Sequence, residues 1–331
     1  MIRLYFKSFV LLFLFAAMYG PAFAQSDAKK EQGEEIKPIV VEDLSLKTNQ
    51  EPVEGVDLAY GAYQRGYYLT AFELALPRAE AGDAAAQTLI AELYENGRGV
   101  ARNTKEAANW YGIAAKAGNR EAMFSYALKL IEGKDVTRDL DRGFAMMEKA
   151  ASQGHPVAMF NHAQNIVKNR PTSAGYRKAL PFYEKAAESR LADAFFALYK
   201  IYAGGLTNGI QYPDKAVEWL LRAAKSGIVE AQLEYGILLA RGEWIEKDLR
   251  GATGWFQVAA HSGNVIAQNR LAHAYASGSG VEQSKLEAAR WHIIASRAGR
   301  NDPQLDALVK SLDEETRTTA LTLANRWPSG S

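Results

Sequence analysis

The chain has no cysteine in 331 residues. That excludes disulfides, thiolate metal sites and a lipid anchor on a cysteine, so the core must hold by burial alone. Charge of one sign is not in excess either: 39 Lys and Arg face 38 Asp and Glu. No basic stripe with interleaved aromatics stands out, which argues against nucleic acid as a partner. Long hydrophobic runs are missing too. The longest, Phe9 to Met18, is too short for a comfortable membrane span. It follows Arg3 and Lys7 and precedes Gly20-Pro21 and Ala22-Phe23-Ala24, the layout of a secretory signal cleaved before Gln25. Residues 1–24 are therefore expected to be a signal peptide and to leave no integral membrane segment after cleavage. The expected address is the periplasm, with secretion as the alternative.

Chemistry is thin as well. Ser26-Asp27-Ala28-Lys29 matches Ser-x-x-Lys but lies just past the cleavage site, with no Lys-Thr-Gly partner. The pairs Gly97/Gly99 and Gly278/Gly280 fall between helices, whereas a dinucleotide fingerprint needs a strand before them. His155 and His162 are seven residues apart, with no carboxylate or third ligand on the face between them, and read as interior histidines. No nucleophile, base and orienter set emerges, so no enzyme, cofactor or metal is expected. Residues 25–56 hold few large apolar side chains. From Gln25 to Asp57 there are nine acidic residues and four lysines. The segment reads as a disordered acidic leader; Ile39-Val40-Val41 is its only apolar kernel.

What the chain does have is a period. Gly82, Gly118, Gly154, Arg190, Gly227, Gly263 and Gly299 are separated by 36, 36, 36, 37, 36 and 36 residues. Four residues beyond each of the first six stands Ala86, Ala122, Ala158, Ala194, Ala231 or Ala267. Eight beyond stands Ile90, Tyr126, His162, Leu198, Tyr235 or Leu271, which puts these positions on one helical stripe. A second helix in each unit carries a small residue, a bulky anchor three residues later, and then a small pair, as in Ala107, Trp110 and Ala114-Ala115. Small side chains let backbones approach, and a large ring fills the hole between hairpins. The glycine supplies the left-handed residue that stops the second helix. A fixed period in this range means a solenoid, each unit burying its apolar face against its neighbours. Arg190 breaks the rule and, held at φ > 0, would cost roughly 1–2 kcal/mol.

Segments such as Ala86-Gln87, Tyr94-Glu95-Asn96-Gly97-Arg98-Gly99-Val100, Lys105-Glu106-Ala107, Trp110-Tyr111, Ala114-Ala115 and Gly118 resemble the Sel1-like repeat, a cousin of the tetratricopeptide repeat. The resemblance implies an all-α fold, a right-handed α-solenoid superhelix of antiparallel helix pairs. It covers 57–299 as one partial and six full units. Asp302-Pro303 then opens a helix, and another spans roughly Asp313 to Arg326; residues 300–331 read as capping helices and a tail.

The resemblance also implies that the first helix of each unit lines the concave surface. Phe124, Phe160, Phe196 and Leu233 would then form an apolar ridge over four consecutive units, with Lys200 and His273 beside it. Aromatic anchors rimmed by polar groups suit a protein-binding surface. The sequence is thus read as a non-enzymatic envelope adaptor that grips a protein partner. One form resembles exported repressors of a sensor kinase, and another is an assembly scaffold. A receptor for a small cell-wall ligand and a secreted host-interaction factor are the alternatives.

Overall fold

The computed structural model describes residues 57–327, and these form sixteen helices with no strand. Residues 1–56, with the expected signal peptide and acidic leader, and the last four residues of the tail lie outside the described residues. The helices pair as α1 (Leu58–Gln64) with α2 (Tyr68–Glu80), α3 (Ala84–Asn96) with α4 (Thr104–Lys116), and α5 (Arg120–Glu132) with α6 (Leu140–Ser152). Then come α7 (Pro156–Asn169) with α8 (Ser173–Glu188), α9 (Ala192–Ala203) with α10 (Pro213–Lys225), and α11 (Val229–Arg241) with α12 (Leu249–His261). The last repeat pair is α13 (Val265–Ser277) with α14 (Lys285–Arg297), followed by α15 (Pro303–Lys310) and α16 (Glu314–Asn325). From α1 to α15 each helix packs on the one before it, and α16 folds back onto α14. This is an α-solenoid.

Each boundary has a local cause. Asp83, Asn119, His155 and Asn264 cap first helices by accepting a backbone N–H, and Asn103, Asp139, Thr172, Asp248 and Ser284 cap second helices likewise. Leu191 and Ile228 offer no cap, so α9 and α11 begin without one. The periodic glycines all sit at positive φ, and Arg190 does so as well, at φ 61.

Packing follows the repeat. The alanines four residues past each repeat glycine are 0–2% exposed, as Ala86 and Ala122 illustrate. Of the six bulky anchors only Trp291 is fully buried, with His261 and Trp327 packed against it; the other five are half-buried. Among the buried polar side chains are Gln87, Gln232 and Gln268. Each donates its Nε2 to a carbonyl near the end of the preceding second helix (Ala79, Ala224 and Ala260) at 3.0–3.3 Å. Each of these carbonyls also accepts the N–H of the repeat glycine, so the glutamine adds a second bond that ties the helix end to the next unit.

Candidate binding site

Thr88, Phe124, Phe160, Phe196, Leu233 and Asn269 stand at one register of α3, α5, α7, α9, α11 and α13. Thr88 turns back, donating its hydroxyl to the Ala84 carbonyl at 2.7 Å. Phe124 stacks on the His155 imidazole at 4.3 Å. That ring is fixed at both nitrogens. Nδ1 accepts the Ala158 N–H at 3.1 Å, so Nε2 carries the proton and donates to Glu121 at 2.8 Å. The hydrogen bond from His155 is the main reason the Glu121 carboxyl lies below its ordinary value.

Phe160 meets Tyr183 edge-on at 5.6 Å, and burial pushes the Tyr183 phenol up. Phe196 stacks on Tyr199 at 5.7 Å, and the exposed Lys200 places its Nζ 4.2 Å from the Phe196 ring centre. Tyr199 is itself pushed up to about 12 by burial, with Glu234 and Glu243 adding to the effect. Leu233 is only 6% exposed and belongs to the core. Phe124 therefore packs across a unit boundary, Phe160 within its own hairpin and Phe196 along its own helix, and each leaves part of its ring uncovered.

His273, at the other end, is committed to a different task. Its Nε2 lies 2.7 Å from Asp302 Oδ2, and Asn269 donates to the same oxygen at 3.0 Å. Asp302 Oδ1 accepts the N–H groups of Gln304 and Leu305 and so caps α15. Burial opposes the Asp302 charge, but the bonds from Asn269, His273 and the Leu305 N–H outweigh it and hold the carboxyl well below its usual range. Read from sequence, Asp302 was a helix cap and nothing more. Its reach into the sixth repeat depends on how α15 packs.

The two histidines stand in surroundings that the sequence does not show. Carboxylates do attend His155 and His162; they come from neighbouring helices, Glu121 from α5 and Glu148 from α6. And His162 is buried without being satisfied. Glu148 is 4.0 Å away, too far for a hydrogen bond, and Nε2 has no partner. Burial accordingly lowers its pKa. Among the described residues, no group of three or more His, Asp or Glu is placed to hold a metal ion, and no helix is long and apolar enough to cross a membrane.

Next to His273 lies a cleft of about 440 Å³ that runs along α13, walled by α11, α12 and the turn into α15. Phe256, Ile266, Arg270, Arg300 and Asp302 line it together with His273. No motif marked it, since its walls come from four separate stretches of chain.

The Sel1 repeat model matches six consecutive segments, 84–119, 120–155, 156–191, 196–228, 229–264 and 265–299, which together make up more than half of the chain. Among solved structures, a Sel1 repeat protein from Oxalobacter formigenes is 30% identical with a TM-score of 0.61; the match covers 72% of this chain and 98% of that one. A protective antigen present in uropathogenic Escherichia coli strains, c5321, is 24% identical with a TM-score of 0.55, over 78% of this chain and 64% of that one, and likewise has this repeat fold. No curated protein matches. Six matched repeats, and a solved Sel1 repeat structure aligned over nearly its whole length, make this chain a member of the Sel1 repeat family, whose repeats generally mediate protein–protein interaction.

Proposed function

We propose that the protein is an exported, non-enzymatic adaptor that grips a protein partner on the face formed by its first helices. The observation that carries this reading is the row of half-covered rings, Phe124, Phe160 and Phe196, in three successive units, ending beside the exposed Lys200. Partly buried aromatics are rigid and already desolvated on one side, so a partner covering the other side gains apolar contact at low entropic cost. The periplasm is the proposed compartment, on the strength of the signal layout at residues 1–24. Within that class, the protein acts as a regulator that holds its partner, such as the outer domain of a sensor kinase, in one state.

The test is photocrosslinking in intact cells with the probe at Phe160 and, as control, at the exposed Glu188. A specific protein adduct from Phe160 alone is the expected outcome. Silence at both positions in correctly exported protein would leave the ring edges as packing surface and overturn the reading.

A further inference from the structure

The cleft along α13 has a chemistry of its own. Arg270 projects into it with the guanidinium 5.7 Å from the face of Phe256, and its Nε, although buried, has no hydrogen-bond partner. Burial is the largest influence disfavouring its charge. Arg241 and Arg300 add repulsion, while Glu234 is the one carboxylate that offsets it. Arg241 faces Glu243 at 3.5 Å, so its charge is answered locally. Arg270 and Arg300 make no ion pair among the described residues. The acid in the cleft's lining, Asp302, has both oxygens occupied by Asn269, His273 and two backbone N–H groups. The cations are open and the anion is spoken for.

The site also departs from the repeat. In the six full units the first helix begins two residues after the repeat position, as with Gly82 and Ala84, whereas α15 begins four after Gly299, at Pro303. That delay places Arg300 where the other units have a capping residue, and leaves it exposed at the cleft wall. Ile266, one turn before Arg270 on α13, is 45% exposed, and Leu249, at the other end of the cleft beside Gly280, is 40% exposed, so both large apolar side chains lie partly open.

We infer that this cleft is a docking site for an acidic peptide segment of a protein partner. A side-chain carboxylate sits between Arg270 and Arg300, and an adjacent apolar side chain lies against Ile266. The inference rests on the adaptor reading and names the chemistry of the partner. A planar carboxylate matches the fork of a guanidinium that already has one unanswered N–H. A dianionic phosphate fits less well, because the charged Asp302 remains in the same wall and repels a second negative charge more strongly. The open, elongated shape running along α13 suits an extended chain passing through.

The experiment uses the purified full-length chain and a fluorescent octapeptide of alternating Glu and Leu, acetylated and amidated so that only side-chain carboxylates are available. Versions with Gln or Lys in place of Glu, and inorganic phosphate as competitor, complete the set, read by anisotropy. The Glu peptide is expected to bind, and the Gln and Lys peptides to bind more weakly by about tenfold or beyond. Arg270→Gln and Arg300→Gln are each expected to cost about tenfold in affinity for the Glu peptide. Arg300 is exposed, so Arg300→Gln decides the matter where Arg270→Gln perturbs folding. Equal binding of the Glu and Gln peptides, indifference to both substitutions, or displacement by phosphate as effective as by Glu peptide would each overturn the inference. A Phe160 adduct together with failure of the peptide sinks this site and leaves the adaptor reading standing. Peptide binding with Phe160 silent keeps the site and sinks the ridge.

Discussion

At the level of single residues, two positions break the repeat and do so at a cost. His162 occupies the stripe position that Leu198 and Leu271 fill elsewhere, and its Nε2 is buried without a partner. His162→Leu is expected to stabilise the chain by about 1 kcal/mol, because it removes an unsatisfied polar atom and keeps the volume apolar. The substitution also changes the pH dependence. Burial lowers the His162 pKa below its ordinary 6.5, so the neutral ring favours the fold above that value and its contribution is lost as pH falls below it. Denaturant unfolding of both forms between pH 7 and 5 checks this: wild type should lose stability across that window and His162→Leu should not share that loss. Arg190, held at φ 61, is the other case. Arg190→Gly should raise stability by up to about 1 kcal/mol, the left-handed strain relieved being partly offset by the greater freedom of glycine in the unfolded chain. A lowered or unchanged midpoint would contradict that.

Among elements, the loop between the two helices of a unit is what locks one hairpin to the one before. Gly97, Gly133, Gly242 and Gly278 end their helices in the left-handed region, and two residues later Gly99, Asp135, Trp244 and Gly280 are again at positive φ. The Gly-x-Gly pairs of the first and last units thus have counterparts in the second and fifth, where Asp135 and Trp244 replace the second glycine. The reason lies in how closely each loop docks. A Cβ at Gly280 would collide with the Leu249 carbonyl, and one at Gly99 would come within 2.5 Å of the Tyr68 backbone. Asp135 instead accepts the Thr104 hydroxyl at 2.8 Å and faces the buried Lys129, which also pairs with Glu95 at 2.6 Å. Gly280→Ala should therefore cost about 3 kcal/mol through overpacking and backbone strain. Asp135→Gly trades strain for the loss of one partner of Lys129, and thermal unfolding should show the smaller drop of the two.

Across the whole molecule, stability is shared between neighbours, so damage at one end stays near that end. Removing 300–331 takes away Asp302 and Asp306, which engage His273 and His292, and uncovers Trp291, against which Trp327 packs at 5.0 Å. Amide exchange should then rise through α13 and α14 while α3 to α6 keep their protection; uniform loss would refute this nearest-neighbour picture. Acid has a distributed effect. Asp135 and Asp302 both have pKa values held below the ordinary 3.8, burial opposing but hydrogen bonds and cations prevailing. Their contribution is complete above that value and is lost as pH falls through the lowered ones, whereas Glu92 and Asp193, raised by burial, work the other way. A second decline in stability below about pH 4 is expected, and it should shrink in Asp302→Asn.

Residue order by itself determined the architecture. The 36-residue spacing, the alanine stripe and the cap chemistry are local rules that each unit satisfies with its immediate neighbours, so reading one unit reads them all. Helix ends were legible for the same reason, down to Pro303 and Asp313. Tertiary structure alone decided which side chains stay open to a partner. Leu233 and Phe124 hold the same place in the repeat, yet one is core and the other half-open, a difference the repeat pattern does not carry. The cleft of Arg270 and Arg300 was invisible in the chain for a related reason. It exists where the repeat ends, at an α15 displaced by two residues, and its charge balance depends on Asp302 being spent on His273 from 29 positions away. Periodicity reports what each unit shares with the next, and a binding site is made where that sharing stops.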